Sequence, residues 1–196
     1  MAKKYVTKFY NRDKDTFRAF NKCGNLDKTQ LNKLGLTDTR IKNYCRDGLV
    51  TKVAYDIKGS RENGVAYKLT SKGKEVGANK FGLNNYAQSQ SVRHNLDVAN
   101  KYLSLTKEEQ QTVINEREVR EMLQDRIYSI EQKEERNKYQ EMLDQGTMSM
   151  PDIVYTNAEG VTIAFDTITN NYGETEIQAK EEACNFLEIQ LETHKI

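Results

Sequence analysis

Arg40 and Asn43 stand three residues apart in the run TDTRIKNYCR (37–46), with Thr39, Lys42 and Arg46 beside them. These side-chain types can read duplex DNA. Arginine makes a bidentate contact to guanine O6 and N7, and asparagine to adenine N6 and N7. Lysine and further arginine neutralise phosphates, which supplies affinity without sequence information. Arg40 and Asn43 are therefore expected at base edges, and Lys42 and Arg46 at phosphates. Lys58 and Arg61 stand at the tip of a later turn and are expected to reach the backbone or a minor groove. No acid falls between Thr39 and Arg46.

The chemistry needs a helix, because a helix fits the major groove. Ile41, Tyr44 and Cys45 fall at i, i+3 and i+4 and should face inward, leaving Thr39, Arg40, Lys42, Asn43 and Arg46 outward. Thr37 caps this helix, Asp38 favours its first turn, and Gly48 stops it. Before it, Asp13 caps a helix over 15–23, with Phe17 and Phe20 on one face, and Gly24-Asn25 ends it. Asp27 and Gln30 form a capping box for a short helix carrying Leu31 and Leu34 and closed by Gly35. After it, Leu49 to Ile57 reads as a strand, Val65 to Leu69 as its partner, and GSRENG as the turn between them. Thr70-Ser71 caps a last helix to about Ala78. Residues 5–10 read as a weak strand or an ordered arm.

The run from Arg46, Gly48, Leu49 and Val50 to Tyr67, Leu69, Thr70 and Gly73 resembles the winged-helix family over residues 13–80. The resemblance implies a DNA-binding fold, although some members of that family bind RNA or protein.

Charge supports the nucleic-acid reading independently. The net charge is only +1, but residues 1–80 hold 19 Lys+Arg against 8 Asp+Glu. The remaining 11 and 21 fall in 81–196, so the halves carry +11 and −10. Such asymmetry marks a nucleic-acid-binding part joined to something else. No apolar run approaches the length of a membrane span, and the N-terminus lacks a secretory core. Cys23, Cys45 and Cys184 are odd in number and widely spaced, which points to free thiols and a cytoplasmic setting. There is no Walker A motif, GxGxxG after a strand, or HExxH, and His94 and His194 do not make a metal site.

Residues 81–91 read as a linker, and 92–196 as an acidic domain with a helical segment over 106–144. Thr106/Glu109 and Asn115/Glu118 are further capping boxes. Residues 131–144 read as a solvated helix, a dimerisation helix or a mobile excursion. Ile153 to Tyr155 and Val161 to Thr167 read as strands, 170–173 as a loop, and Glu174 to Leu191 as a helix.

Here Pro151-Asp152, followed fourteen residues later by Asp166, resembles the PD-(D/E)xK nuclease core. The resemblance implies Asp152 and Asp166 as Mg²⁺ ligands and a lysine that activates water. The expected lysine position is Ile168, so Lys180 on the next helix is the replacement, with Glu118 or Asp97 as an additional acid. The order of parts is also similar to the replication-relaxation family of mobile-element proteins. Arg93 to Leu96, Glu116 to Arg120, Pro151-Asp152, Asp166 to Tyr172 and Lys180 carry that likeness.

The expected architecture is α+β: a winged helix, then a smaller restriction-endonuclease-like α/β domain, with a helical, partly amphipathic connector. The expected function is sequence-specific binding of double-stranded DNA by a phage, plasmid or integrative-element protein. It would act as a transcriptional regulator or an accessory replication or mobilisation factor, without enzymatic activity or a required cofactor. One alternative is a Mg²⁺-dependent deoxyribonuclease using Asp152, Asp166 and Lys180. Another is an inhibitor or adaptor that binds a protein through its acidic half. The sequence does not fix the oligomeric state; a homodimer would read two half-sites spaced by about one helical turn or a multiple.

Overall fold

Asp13 fixes the start of the first helix from inside it. Helix α1 (Asn11–Cys23) begins two residues ahead of Asp13, whose carboxylate accepts the Tyr10 N–H at 2.7 Å. The expected cap is therefore a third-position acid, which the exposed N–H groups of a first turn also favour. Gly24 ends α1 at φ +79°. In this computed structural model the described residues are 4–57, 59–60, 62–88, 91–169 and 172–196. Lys58 and Arg61 of the expected turn, and Asn170 and Asn171 of the expected loop, lie outside them.

The protein is a mixed α+β chain with nine helices and two small sheets among the described residues. It divides after Ser104 into two compact units, Met1–Ser104 and Leu105–Ile196. This differs from the expected boundary at 80–92. The first unit holds 21 Lys+Arg against 9 Asp+Glu, and the second 9 against 20. No helix among the described residues is long and apolar enough to cross a membrane.

In the first unit, α1 leads to β1 (Asn25–Asp27), α2 (Lys28–Lys33) and α3 (Asp38–Arg46). Strands β2 (Val50–Asp56) and β3 (Asn63–Leu69) follow, then α4 (Ser71–Phe81) and α5 (Val92–Ser104). The sheet order is β1-β3-β2, antiparallel throughout, with Leu26 opposite Tyr67 and Lys52 opposite Tyr67 on the other side. The capping box at α2 forms: Gln30 N–H donates to Asp27 at 2.7 Å, and Gln30 Oε1 accepts from Asp27 N–H at 3.0 Å. Phe17, Phe20, Leu26, Leu31, Ile41 and Tyr44 are buried at the centre, and the Phe17 ring meets Tyr44 at 5.7 Å and Phe81 at 5.3 Å. The Thr70-x-x-Gly73 turn has a physical cause. Thr70 Oγ1 donates to Gly48 O at 2.6 Å and accepts from Gly73 N–H at 3.0 Å. A Cβ on Gly73 would meet Leu49 O at 2.0 Å, so only glycine allows this approach.

Helix α5 belongs to this unit. Leu96, Val98, Ala99 and Tyr102 are buried, and Gln30 Nε2 donates to Leu96 O at 2.8 Å. His94 is buried on the same helix.

The second unit runs α6 (Lys107–Thr112), β4 (Ile114–Asn115), α7 (Glu116–Tyr128), α8 (Lys133–Gln145), β5 (Ile153–Thr156), β6 (Thr162–Ile168), α9 (Glu174–Leu187) and β7 (Gln190–Lys195). The sheet order is β4-β5-β6-β7; only β6 and β7 pair in parallel, with α9 as their crossover. Val119, Leu123, Ile127, Met148, Ala183 and Cys184 lie in its core. The expected helical segment 106–144 is thus three helices and a short strand. Residues 133–145 form α8, whose Tyr139 ring packs on Phe186 at 4.3 Å. The last helix stops at Leu187, short of the expected Leu191, because Glu188 turns left-handed at φ +58° and the chain enters β7.

Candidate functional site

Helix α3 is capped as expected, with Thr37 Oγ1 accepting Arg40 N–H at 3.3 Å. Its first-turn acid, Asp38, pairs with Lys28 at 2.7 Å. Thr39, Lys42 and Arg46 are exposed, and Asn43 is half-buried. Ile41 and Tyr44 face the core, whereas Cys45 is only half-buried.

Arg40 does not face outward. Its Nε and one terminal nitrogen donate to Asp13 Oδ1 and Oδ2 at 2.9 and 2.8 Å, and that nitrogen also donates to Lys8 O at 2.7 Å. Tyr44 hydroxyl donates to the same Asp13 carboxylate at 2.5 Å. Burial opposes the Arg40 charge, but Asp13 more than offsets it and holds the guanidinium pKa above its ordinary value. Burial, then Asp13, pushes the Tyr44 phenol pKa up. The sequence pattern put Arg40 among the outward residues because helical spacing says nothing about Asp13, which is 27 positions away.

The exposed cations of α3 border a groove facing the sheet. Lys28, Lys42, Arg46 and Lys52 line a cavity of about 290 Å³ with Cys45 and Tyr67 on its walls. Asp38 also lines it, already bound to Lys28. Burial raises the Cys45 thiol pKa, with Lys52 pulling the other way. Lys28 and Lys52 carry no chemical signal in the linear sequence; the capping box and the strand pairing bring them beside α3.

In the second unit, Asp166 on β6, Asp152 ahead of β5 and Lys180 on α9 come together. Lys180 Nζ donates to Asp166 Oδ1 at 2.5 Å and to Met150 O at 2.9 Å, and Thr167 N–H donates to Asp152 Oδ2 at 2.8 Å. Burial opposes the Lys180 charge, and the carboxylates of Asp166 and Asp152 outweigh it, so its pKa stands above the ordinary lysine value. The Lys180 ammonium also sits 5.7 Å from the Tyr172 ring centre.

This cluster does not fit Mg²⁺. That ion keeps several waters in an octahedral shell at one or two carboxylates. The Asp166 side chain is fully buried and already meets an ammonium. Glu118 accepts Asn115 N–H at 2.8 Å as the capping-box acid of α7. Among the described residues no three His, Cys, Asp or Glu side chains are grouped to hold a metal ion. A buried ion pair joining β6 to α9 accounts for the geometry.

The chain matches no family model, no curated protein and no solved structure.

Proposed function

We propose that this protein binds double-stranded DNA through α3 and the groove beside it, as a regulator or an accessory replication or mobilisation factor of a mobile genetic element. The carrying observation is the convergence of Lys28, Lys42, Arg46 and Lys52 on one groove whose acid, Asp38, already has a cation. Beyond the Lys28–Asp38 pair, Lys42, Arg46 and Lys52 put three positive charges on one concave surface, the footprint expected of phosphate contacts. The order α1-β1-α2-α3-β2-β3, with β1 completing the sheet, is similar to that of a winged helix and supports the same reading. In this reading Thr39 and Asn43 face base edges, Lys42 and Arg46 hold phosphates, and Arg40 fixes the pose of α3. The second unit, with 9 Lys+Arg against 20 Asp+Glu, would repel a duplex and is assigned to contacts with a protein partner or a second copy.

The test is retardation of duplex DNA of mixed sequence in low salt. The expected result is a shifted species that is lost as salt rises, because released counterions make phosphate binding salt-dependent. No shift at any salt concentration would end the proposal.

A further inference from the structure

Residues 4–10 form neither helix nor strand, yet they are held in place. Asp47, the residue that follows α3, accepts the Tyr5 N–H on both oxygens at 2.9 and 3.1 Å and the Val6 N–H at 2.6 Å. Val6 is fully buried. This anchorage sets the Tyr5 ring 5.1 Å from the Arg46 guanidinium.

Beside the arm lies a second groove of about 320 Å³, lined by Lys4, Arg46, Lys72 and Lys80 over apolar walls that include Val6 and Val76. Asp47 also lines it, with both oxygens engaged by the arm. Lys72 Nζ donates to Asp47 O at 2.7 Å, an orphan carbonyl at the end of α3. Lys4, Arg46 and Lys80 are exposed and line it. Arg46 is a wall of both grooves.

We propose that the N-terminal arm is part of the DNA-contacting surface. The second groove takes phosphates of the duplex segment flanking the one held beside α3, and Arg46 stands where the strand passes from one groove to the other. Asp47 and Tyr5 are positioning residues: Asp47 anchors the arm, and Tyr5 braces Arg46. A concave groove lined by exposed cations suits a curved phosphodiester strand better than a flat bilayer. The inference rests on the DNA-binding reading above.

The test compares salt titrations of duplex binding for the full chain, Lys4→Ala/Lys80→Ala and Lys42→Ala/Arg46→Ala, with thermal melting to confirm that each variant is folded. Losing two phosphate contacts lowers the salt slope by about 1.8. Between about 50 and 200 mM salt, Lys4→Ala/Lys80→Ala is then expected to lose roughly tenfold less affinity than the wild type loses. Tyr5→Ala is expected to lower affinity several-fold with unchanged melting. If Lys42→Ala/Arg46→Ala reduces the slope and Lys4→Ala/Lys80→Ala leaves it unchanged, this inference is overturned while the DNA-binding reading stands. If the wild type binds no duplex, both fall.

Discussion

The Arg40 guanidinium closes on the Asp13 carboxylate in a two-pronged contact, 2.9 Å from Nε to Oδ1 and 2.8 Å from Nη2 to Oδ2. Asp13 is fully buried and also receives the Tyr10 N–H and the Tyr44 hydroxyl. One carboxylate thus ties the start of α1 to the middle of α3 and sets how α3 presents Lys42 and Arg46.

Arg40→Ala is therefore expected to lower stability rather than remove a base contact. Removing one partner of a buried pair costs about 3–5 kcal/mol, and the donors Asp13 keeps reduce this to about 2 kcal/mol. Urea denaturation measures it. Normal stability combined with altered base preference would return Arg40 to the base-reading role.

Lys180→Met is expected to be among the most damaging changes in the second unit. It removes the ammonium paired with the buried Asp166 carboxylate, at a cost of about 3–5 kcal/mol. Adding Asp166→Asn should recover part of that loss, because the buried negative charge that Lys180 offsets is gone. A double-mutant cycle by chemical denaturation reads the coupling. Additive effects would contradict the ion-pair role.

Alkaline pH should weaken the second unit through Cys184. Burial, aided by Asp166, raises its thiol to about 12, from an ordinary value of 9.0. The folded state then holds its proton where the unfolded state has lost it, so the contribution is intact below pH 9 and is lost as pH rises toward 12. Cys184→Ala should flatten this part of the stability curve. An unchanged alkaline slope in that variant would assign the loss to other groups.

Much of the first unit is legible in its sequence because its signals are local. Thr37, the Asp27/Gln30 box and Gly48 mark helix ends by chemistry within one turn. Leu49 to Leu69 reads as a hairpin from β-rich runs around a glycine-bearing turn. What is not legible depends on distant partners. Strand β1 is three residues long and exists through pairing with Tyr67 and its neighbours. Helix α5 reads as the start of the acidic half, but its apolar face packs with the first unit. Glu188 carries no left-handed signal, so the end of α9 and all of β7 are hidden. In the second unit Lys180 pairs with Asp166, and Asp152 holds the N–H of Thr167, the residue next to Asp166; no local signal in the sequence shows their burial.

The proposed DNA contact rests on Lys42 and Arg46 holding phosphates. Fluorescence anisotropy of a labelled duplex, titrated over a range of salt with wild type and Lys42→Ala/Arg46→Ala, tests it most directly. Salt-sensitive wild-type binding, weaker binding by the variant, and a logarithmic salt slope shallower by about 1.8 are expected. Equal affinity and equal slope for the two proteins, with both fully folded, would contradict it.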